Sequence, residues 1–202
     1  MALGVRQAQK QETRCRVLAA ARDLFNEMGY EEATIRLVAQ RAGVSVGSVF
    51  TTFSSKADIL SQVMRERVDA LTAEVEGLMA GVDGTVRDRF KAFLAANYRV
   101  EIRQPKLYLA HIMAAFTPNL EEGVVPFGVT PQTVAIGHAL LREGIANGEI
   151  DTATDLEALV DLVRAAYVWN YRLAARNTVA AETLINLMDR QIDIIFDGIA
   201  KR

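Results

Sequence analysis

Residues 34–53 read TIRLVAQRAGVSVGSVFTTF, and this stretch decides the fold. It contains two short apolar-periodic segments on either side of a turn. Thr34 and Ser45 precede the two segments, where a side-chain oxygen can accept a hydrogen bond from the unpaired N–H groups of a helix start. Gly43 ends the first segment and can adopt a positive φ without steric cost. The stretch therefore predicts two short helices joined by a tight turn, a helix-turn-helix.

The apolar residues of this stretch fall where two crossing helices meet. The inward-facing positions are Val38, Ala39, Ala42, Val44 and Val49. Small residues at such a crossing let the helices approach closely, which leaves the second helix able to enter the major groove of DNA. By itself the pattern also fits a helical hairpin buried in an ordinary bundle.

The flanking sequence decides between these readings. From Thr13 to Leu60 the chain closely resembles the N-terminal DNA-binding domain of the tetracycline-repressor (TetR) family, over about a quarter of its length. The matching features are Phe25, Gly29-Tyr30, Thr34, Ala39-x-x-Ala42-Gly43-Val44-Ser45, Gly47-Ser48 and Phe53-x-x-Lys56. The resemblance implies a one-component repressor whose dimer binds a palindromic operator. It also implies that a small molecule in the C-terminal domain releases the DNA.

The resemblance also implies which residues contact DNA. Thr34 caps the second helix, whose N-terminus can face a phosphate together with Arg36. Ser45 and Ser48 begin the recognition helix, and Thr51 further along can contact a base or a thymine methyl. The predicted DNA-contacting residues are Thr34, Arg36, Ser45, Val46, Gly47, Ser48, Phe50, Thr51 and Lys56.

The recognition helix departs from the family pattern because it carries no charge. Val46 stands where a basic residue or Pro is frequent, and Phe50 stands where Tyr is usual. We therefore expect sequence readout through apolar and hydroxyl contacts. Affinity for phosphates is left to Lys56, which resembles the family's phosphate-contacting lysine, to Arg36 and to the basic N-terminal segment.

The distribution of charge supports this interpretation although the total charge does not. The chain carries a net charge of −2, which taken alone disfavours a nucleic-acid partner. Residues 1–60 nevertheless sum to +2 and residues 61–202 to −4. Five basic residues lie within residues 1–22 against a single acidic one. The chain is thus electrically two-sided.

The composition restricts the class of protein. Of 202 residues, 50% are hydrophobic and 24% are charged, which excludes a disordered or low-complexity chain. The single Cys15 allows no internal disulfide, and one thiol with two histidines makes no zinc set, so neither metal nor cofactor is expected. No apolar run approaches a membrane span of about 18 residues, and no secretory signal is visible, so we expect a cytoplasmic protein without membrane partners.

Helical periodicity continues through the rest of the chain, without sustained strand alternation. Later helices are predicted over about 85–103, 105–116, 131–147, 154–176 and 179–200, with a long loop near 117–130. We predict an all-α protein. Its N-terminal three-helix domain, 1–55, contains the helix-turn-helix, and a larger helical domain, 56–202, binds the effector and dimerises.

Polar residues on apolar helix faces suggest where an effector binds. Asn97, His111 and Asn170 each fall among apolar residues, and a buried polar group needs a partner, which a ligand can be. A partner within the core or at the dimer interface is the alternative. The residues predicted to line a mostly apolar effector cavity are Phe93, Asn97, Tyr108, His111, Trp169 and Asn170.

The last two predicted helices have more apolar surface than one packed face requires. In helix 179–200 the apolar residues cover an arc of about 200°, against the ~100° of a one-sided helix. Two such helices from each subunit predict a four-helix homodimer interface. The alternative is that both are internal helices of a large bundle.

Other function classes are less well supported. We see no metal-ligand spacing, no cysteine–histidine pair and no phosphate loop, so we do not expect an enzyme. The uncharged recognition helix favours, as an alternative, a helical protein-interaction module that has lost DNA binding. A redox sensor based on Cys15, on the basic first helix, is the remaining alternative.

Overall fold

The computed structural model describes residues 2–115, 131–176 and 179–199, which form helices and, within these ranges, no strand. The all-α prediction is confirmed. The predicted loop near 117–130 lies outside the described residues. The helices, in chain order, are α1 (Ala2–Glu27), α2 (Ile35–Ala42), α3 (Val46–Thr52), α4 (Lys56–Met79), α5 (Val86–Glu101), α6 (Pro105–Ala115), α7 (Pro131–Ala146), α8 (Leu156–Asn170), α9 (Arg172–Arg176) and α10 (Ala181–Ile199).

Two compact units divide the chain. The N-terminal unit comprises the described parts of residues 1–68 and 104–127, and the C-terminal unit those of residues 69–103 and 128–202. The predicted domain boundary between residues 55 and 56 remains a prediction.

In the N-terminal unit, α1 packs against α2, α3 and α6, and α2 packs against α3. Side chains with at most 3% of their surface exposed form this core: Val17, Leu18, Ala21, Leu24, Phe25, Val38, Ala39, Val49, Phe53, Ile59 and Leu60. The core-facing residues of α2 and α3 therefore leave the opposite side of α3 open to solvent.

In the C-terminal unit, α5 packs against α7 and α10, and α10 also packs against α8. A capping box starts α5, in which Thr85 and Asp88 satisfy each other's backbone N–H groups. Gly144 on α7 allows a close approach, because a Cβ there would lie 3.0 Å from Val86 Cγ1. Arg89 on α5 forms a bidentate ion pair with Glu143 on α7.

The apolar periodicity of the first helix begins at Val17, and in the structure α1 starts further toward the N-terminus, at Ala2. The prediction of a single helix over 154–176 is wrong, because the helix is interrupted at Tyr171. There the backbone N–H bonds to the carbonyl of Val168, three residues back, and α9 starts anew at the next residue.

Candidate nucleic-acid interface

The start and end of α2 are fixed by the residues that the sequence singles out. The Thr34 hydroxyl accepts a hydrogen bond from the Leu37 N–H at 3.3 Å. Gly43 has φ = 66°, in the left-handed region, and its N–H bonds to the carbonyl of Gln40. The prediction of a positive φ at this turn is confirmed. The turn sets the angle at which α3 leaves α2.

The polar side chains of α3 bond mainly to the helix itself. The Ser45 hydroxyl accepts from the Ser48 N–H at 3.1 Å, and the two serine hydroxyls lie 2.8 Å apart. Thr51 donates its hydroxyl proton to the Gly47 carbonyl at 2.8 Å, and Thr52 donates to Ser48 at 3.0 Å. The threonine hydroxyl oxygens therefore keep lone pairs for a base or a phosphate, while their protons are already engaged.

One face of α3 combines exposure with absence of charge. Val46 and Phe50 are 40% and 55% exposed, although both are apolar. Gly47 and Thr51 are exposed beside them, so four of the predicted DNA-contacting residues share one open face. Ser45 is exposed at the N-cap and Ser48 is half-buried. An exposed apolar face next to hydroxyl acceptors can contact thymine methyl groups and base edges.

The two predicted phosphate-contacting residues near α3 have different surroundings. Arg36 is exposed in the first turn of α2. Lys56 is half-buried, and its Nζ donates to the carbonyl of Tyr30 at 2.9 Å and to that of Glu31 at 3.4 Å. The same ammonium lies 4.2 Å from the centroid of the Tyr30 ring. Lys56 thus ties the start of α4 to the loop between α1 and α2.

An ion pair between α1 and α2 of this unit was not predicted from the sequence. The Arg41 guanidinium on α2 donates to both carboxylate oxygens of Glu27 at the end of α1, each at 3.0 Å. These hydrogen bonds hold the pKa of Glu27 below its ordinary value. Lys106 on α6 donates to the backbone carbonyl of Glu27. The partners lie 14 and 79 residues apart along the chain, so spacing along one helix gives no signal for them.

Comparison with known proteins agrees with this geometry. Residues 17–63 match the family model described as bacterial regulatory proteins, tetR family. Residues 17–63, which contain α2, α3 and the turn between them, are therefore similar to the N-terminal region of TetR-family regulators.

Relatives and solved structures extend this likeness. The transcriptional regulator BetI of Klebsiella pneumoniae is 35% identical over 86 residues, 42% of this chain and 44% of that protein. The transcriptional repressor KstR2 of Rhodococcus jostii is 24% identical over 95% of this chain and 93% of that protein. The regulator FadR of Bacillus subtilis, solved in complex with stearoyl-CoA, shares the fold with a TM-score of 0.71 and 18% identity, covering 92% of this chain and 98% of that one. The first curated relatives are matched over only 40–44% of their own length.

The residues predicted to line an effector cavity divide between the two units of the chain. Tyr108 and His111, on α6 of the N-terminal unit, are both buried, and the Arg67 guanidinium lies 5.9 Å from the centroid of the Tyr108 ring. Burial lowers the pKa of His111 to about 4, so this imidazole is neutral at pH 7.

The C-terminal unit holds the other four. Phe93 and Asn97 are buried on α5, and the Asn97 amide donates to the Phe93 carbonyl at 2.7 Å. Trp169 is 65% exposed and stacks with Arg172, whose guanidinium lies 5.0 Å from its ring centroid. A solvent-exposed tryptophan suits an interface between proteins better than the lining of a closed cavity.

Asn170 is fully buried and has partners within its own unit. Its amide nitrogen donates to the Gln191 side chain at 2.8 Å and to the Tyr98 hydroxyl at 3.2 Å. Its carbonyl oxygen accepts from Gln191 at 3.3 Å. Tyr98 in turn donates to the backbone carbonyl of Tyr167 at 3.0 Å. This network joins α5, α8 and α10, so the internal partner that the sequence left open for Asn170 is present.

The C-terminal unit also contains an aromatic cluster around a carboxylate that the sequence did not reveal. The hydroxyls of Tyr167 and Tyr171 both donate to Glu101, the former at 2.6 Å. The rings of Tyr98 and Tyr167 stack with their centroids 4.2 Å apart. Burial raises the pKa of Tyr167 well above its ordinary value, so the phenol stays protonated and acts as a donor.

The described residues show neither a membrane helix nor a metal cluster. No helix in these ranges combines the length and apolar character needed to cross a bilayer. Across the same ranges, no three His, Cys, Asp or Glu side chains converge as a metal site. Cys15 is a free, exposed thiol on α1. The relatives BetI and KstR2 named above are an HTH-type transcriptional regulator and an HTH-type transcriptional repressor.

Proposed function

We propose that this protein is a cytoplasmic, DNA-binding transcriptional regulator that acts as a ligand-responsive repressor on a palindromic operator. The observation that carries the proposal is the open face of α3. A seven-residue helix is held by an N-cap and a glycine turn, with Val46, Phe50 and Thr51 facing solvent. Apolar groups spaced along one exposed helix face suit the floor of the major groove, where thymine presents its methyl group.

The phosphate contacts of this proposal come from positions around α3. The exposed Arg36 supplies a cation at the start of α2, and the first turn of α2 presents backbone N–H groups there. Phosphate contacts set the register of the protein on DNA, and the α3 contacts choose the sequence. We therefore expect an operator rich in A·T pairs at the positions that meet Val46 and Phe50.

The dimer of the proposal is formed by α8 and α10. Leu162 and Trp169 on α8 are 55% and 65% exposed, and Ile194 on α10 is 73% exposed. These helices also contribute to the core of their own unit, so each has apolar residues on more than one side. A second copy of the chain would bury the exposed set in an isologous interface and place two α3 helices for two half-sites, about 34–36 Å or a multiple apart.

The oligomeric state tests this interface directly. Leu162→Glu and Ile194→Glu should each increase the monomer fraction in sedimentation velocity. Ala80→Glu adds the same charge at another exposed position and should leave the dimer unchanged. A monomeric wild-type chain, or dissociation by all three variants, would contradict the proposed interface.

The effector of the proposal is a mostly apolar small molecule. Buried aromatic and aliphatic side chains around a few polar groups favour such a ligand. Acyl compounds are the first class to test because the FadR structure contains stearoyl-CoA. His111 is the predicted cavity residue to vary first, since the partners of Asn170 already lie within its own unit.

The experiment that tests the function starts from a pool of random duplexes. The full-length protein should enrich a palindromic sequence, and an active acyl compound should release that duplex in a fluorescence-anisotropy titration. His111→Ala should weaken release without changing affinity for the duplex. Failure to enrich any sequence would contradict the repressor function.

A protein-interaction module is the second candidate, favoured by the exposed Phe50 and Val46. In that case the two side chains would contact an apolar protein surface, and the selection would recover no duplex. A role of Cys15 as a redox sensor predicts a reversible change in duplex affinity on thiol oxidation, which Cys15→Ser would abolish.

A further inference from the structure

One face of α1 changes character along its length. In the second half of the helix this face is buried in the N-terminal unit, through Val17, Leu18, Ala21, Leu24 and Phe25. At about 100° per residue, the same face continues toward the N-terminus through Gln7, Lys10, Gln11 and Arg14. The face that packs into the core at one end of α1 is therefore polar and cationic at the other.

This polar part, which we call the α1 stripe (Gln7, Lys10, Gln11 and Arg14), lines a cleft at the end of the recognition helix. The cleft has a volume of about 580 Å³, and Thr52, the last residue of α3, forms part of its wall. The Arg14 guanidinium lies 5.5 Å from the ring centroid of Phe53, which follows α3 directly. A guanidinium stacked in this way keeps its in-plane N–H donors for another partner.

No described side chain pairs with the cations of this cleft as a counter-charge. Arg16, on the opposite side of α1, pairs with Glu12 at 4.0 Å. For Lys10 and Arg14, by contrast, no carboxylate among the described side chains lies within 4.0 Å. Two cations and two amides that converge on an open cleft fit a ligand that carries repeated negative charges and hydrogen-bond acceptors.

We propose that the α1 stripe is a second DNA-contacting surface, on which Lys10 and Arg14 bind backbone phosphates and Gln7 and Gln11 donate to neighbouring phosphate or sugar oxygens. The occupant is duplex DNA because the cleft adjoins α3, so a duplex engaged by that helix continues past it. This inference rests on the proposed function. It assigns to the first helix the phosphate affinity that the uncharged α3 lacks.

The salt dependence of binding tests the assignment. The probe is the duplex recovered by the random-pool selection, titrated with the full-length protein over a series of potassium chloride concentrations. Each lost phosphate contact makes the slope of log K against log salt less negative by about 0.9, and one substitution removes two contacts from a dimer on its operator. The expected change is therefore about 1.8, which is about sixtyfold in affinity at 0.1 M relative to 1 M salt. Lys10→Gln and Arg14→Gln should each show this change. Arg14→Lys should restore the slope because it keeps the charge.

Arg16→Gln is the matched control, because it removes the same charge from the same helix on the other side. It should leave the slope unchanged. Equal changes in all three glutamine variants would show general electrostatic attraction and overturn the assignment, as would unchanged slopes for Lys10→Gln and Arg14→Gln. Thermal unfolding of each variant detects a loss of fold. Lys10→Gln should change stability least, because Lys10 is exposed. If the wild-type chain enriches no duplex, the proposed function itself fails, which is a different outcome from bound DNA with unchanged slopes.

Discussion

Replacing Lys56 by Met tests whether this residue holds the DNA-binding unit together or binds a phosphate. Met keeps an unbranched apolar side chain of similar length but removes the ammonium. In the structure that ammonium donates to the carbonyls of Tyr30 and Glu31, at 2.9 and 3.4 Å, and lies 4.2 Å from the centroid of the Tyr30 ring. The substitution therefore removes two charge-assisted contacts and one cation–π contact at once.

The magnitude follows from these contacts. A hydrogen bond to a charged group contributes about 1.5–3 kcal/mol, and a partly exposed cation–π contact about 0.5–1 kcal/mol. Lys56 is only half-buried and one of its two hydrogen bonds is long, at 3.4 Å, so water can replace part of what is lost and the net effect lies below the sum of these contributions. We expect Lys56→Met to lower the free energy of unfolding of the N-terminal unit by about 1–2 kcal/mol. Urea unfolding followed by far-UV circular dichroism measures the change.

Lys10→Met is the mirror control, because Lys10 is exposed and lies in the α1 stripe. It should leave the unfolding free energy within about 0.5 kcal/mol of wild type and make the salt slope less negative by about 1.8, since the dimer loses two contacts. Lys56→Met should lower the unfolding free energy and leave the salt slope unchanged. An unchanged stability for Lys56→Met together with a salt slope less negative by about 1.8 would refute the geometric argument and make Lys56 a phosphate ligand, as the family resemblance implies.

Further substitutions and a pH titration test the other parts of the structure. Gly47→Ala should leave stability unchanged or raise it by up to about 1 kcal/mol, since the new Cβ would lie 3.8 Å from Ser45 Oγ. Its duplex affinity, measured by anisotropy, should fall because the helix backbone can no longer approach DNA as closely. Unchanged affinity would contradict this. Asn170→Ala should lower the unfolding free energy by about 2–3 kcal/mol, because it leaves Gln191 without its buried partner; a loss below about 1 kcal/mol would count against the network. The pKa of His111 is lowered from 6.5 to about 4, so the unfolded chain binds a proton that the folded chain does not, and stability should fall as the pH drops from about 6.5 to 4, by at most about 3 kcal/mol. His111→Gln should flatten that part of the urea-measured pH profile, and an equally steep profile would assign the effect to another group.

The helix-turn-helix could be predicted from sequence because its determinants are local. Thr34 and Ser45 cap helices through N–H groups three residues away, and Gly43 takes the left-handed conformation that ends α2. Each signal lies within one turn of the helix that it defines. A single sequence therefore contains the whole physical argument for α2, for α3 and for the turn between them.

Interactions between distant residues could not be predicted in this way. The Arg41–Glu27 ion pair joins two helices, and both tyrosine hydroxyls on Glu101 come from about 70 residues away. For Asn170 the sequence indicated a buried polar group that needs a partner, which was correct. It could not tell whether that partner was a ligand or Gln191, since the choice depends on how α8 and α10 pack.

The first half of α1 could not be recognised as a helix from apolar periodicity, and the reason bears on function. Helices are found in sequence by the apolar stripe that they bury, and residues 7–14 of α1 have a polar stripe in its place. A helix that continues for this length with its core-facing side polar has a surface that its own unit does not cover. If Lys10 and Arg14 meet phosphates there while α3 meets the bases, affinity and specificity belong to different helices. The contribution of α1 to the salt dependence of affinity would then be the same on every DNA sequence. Substitutions in α3 would change which sequence is bound without altering the salt slope.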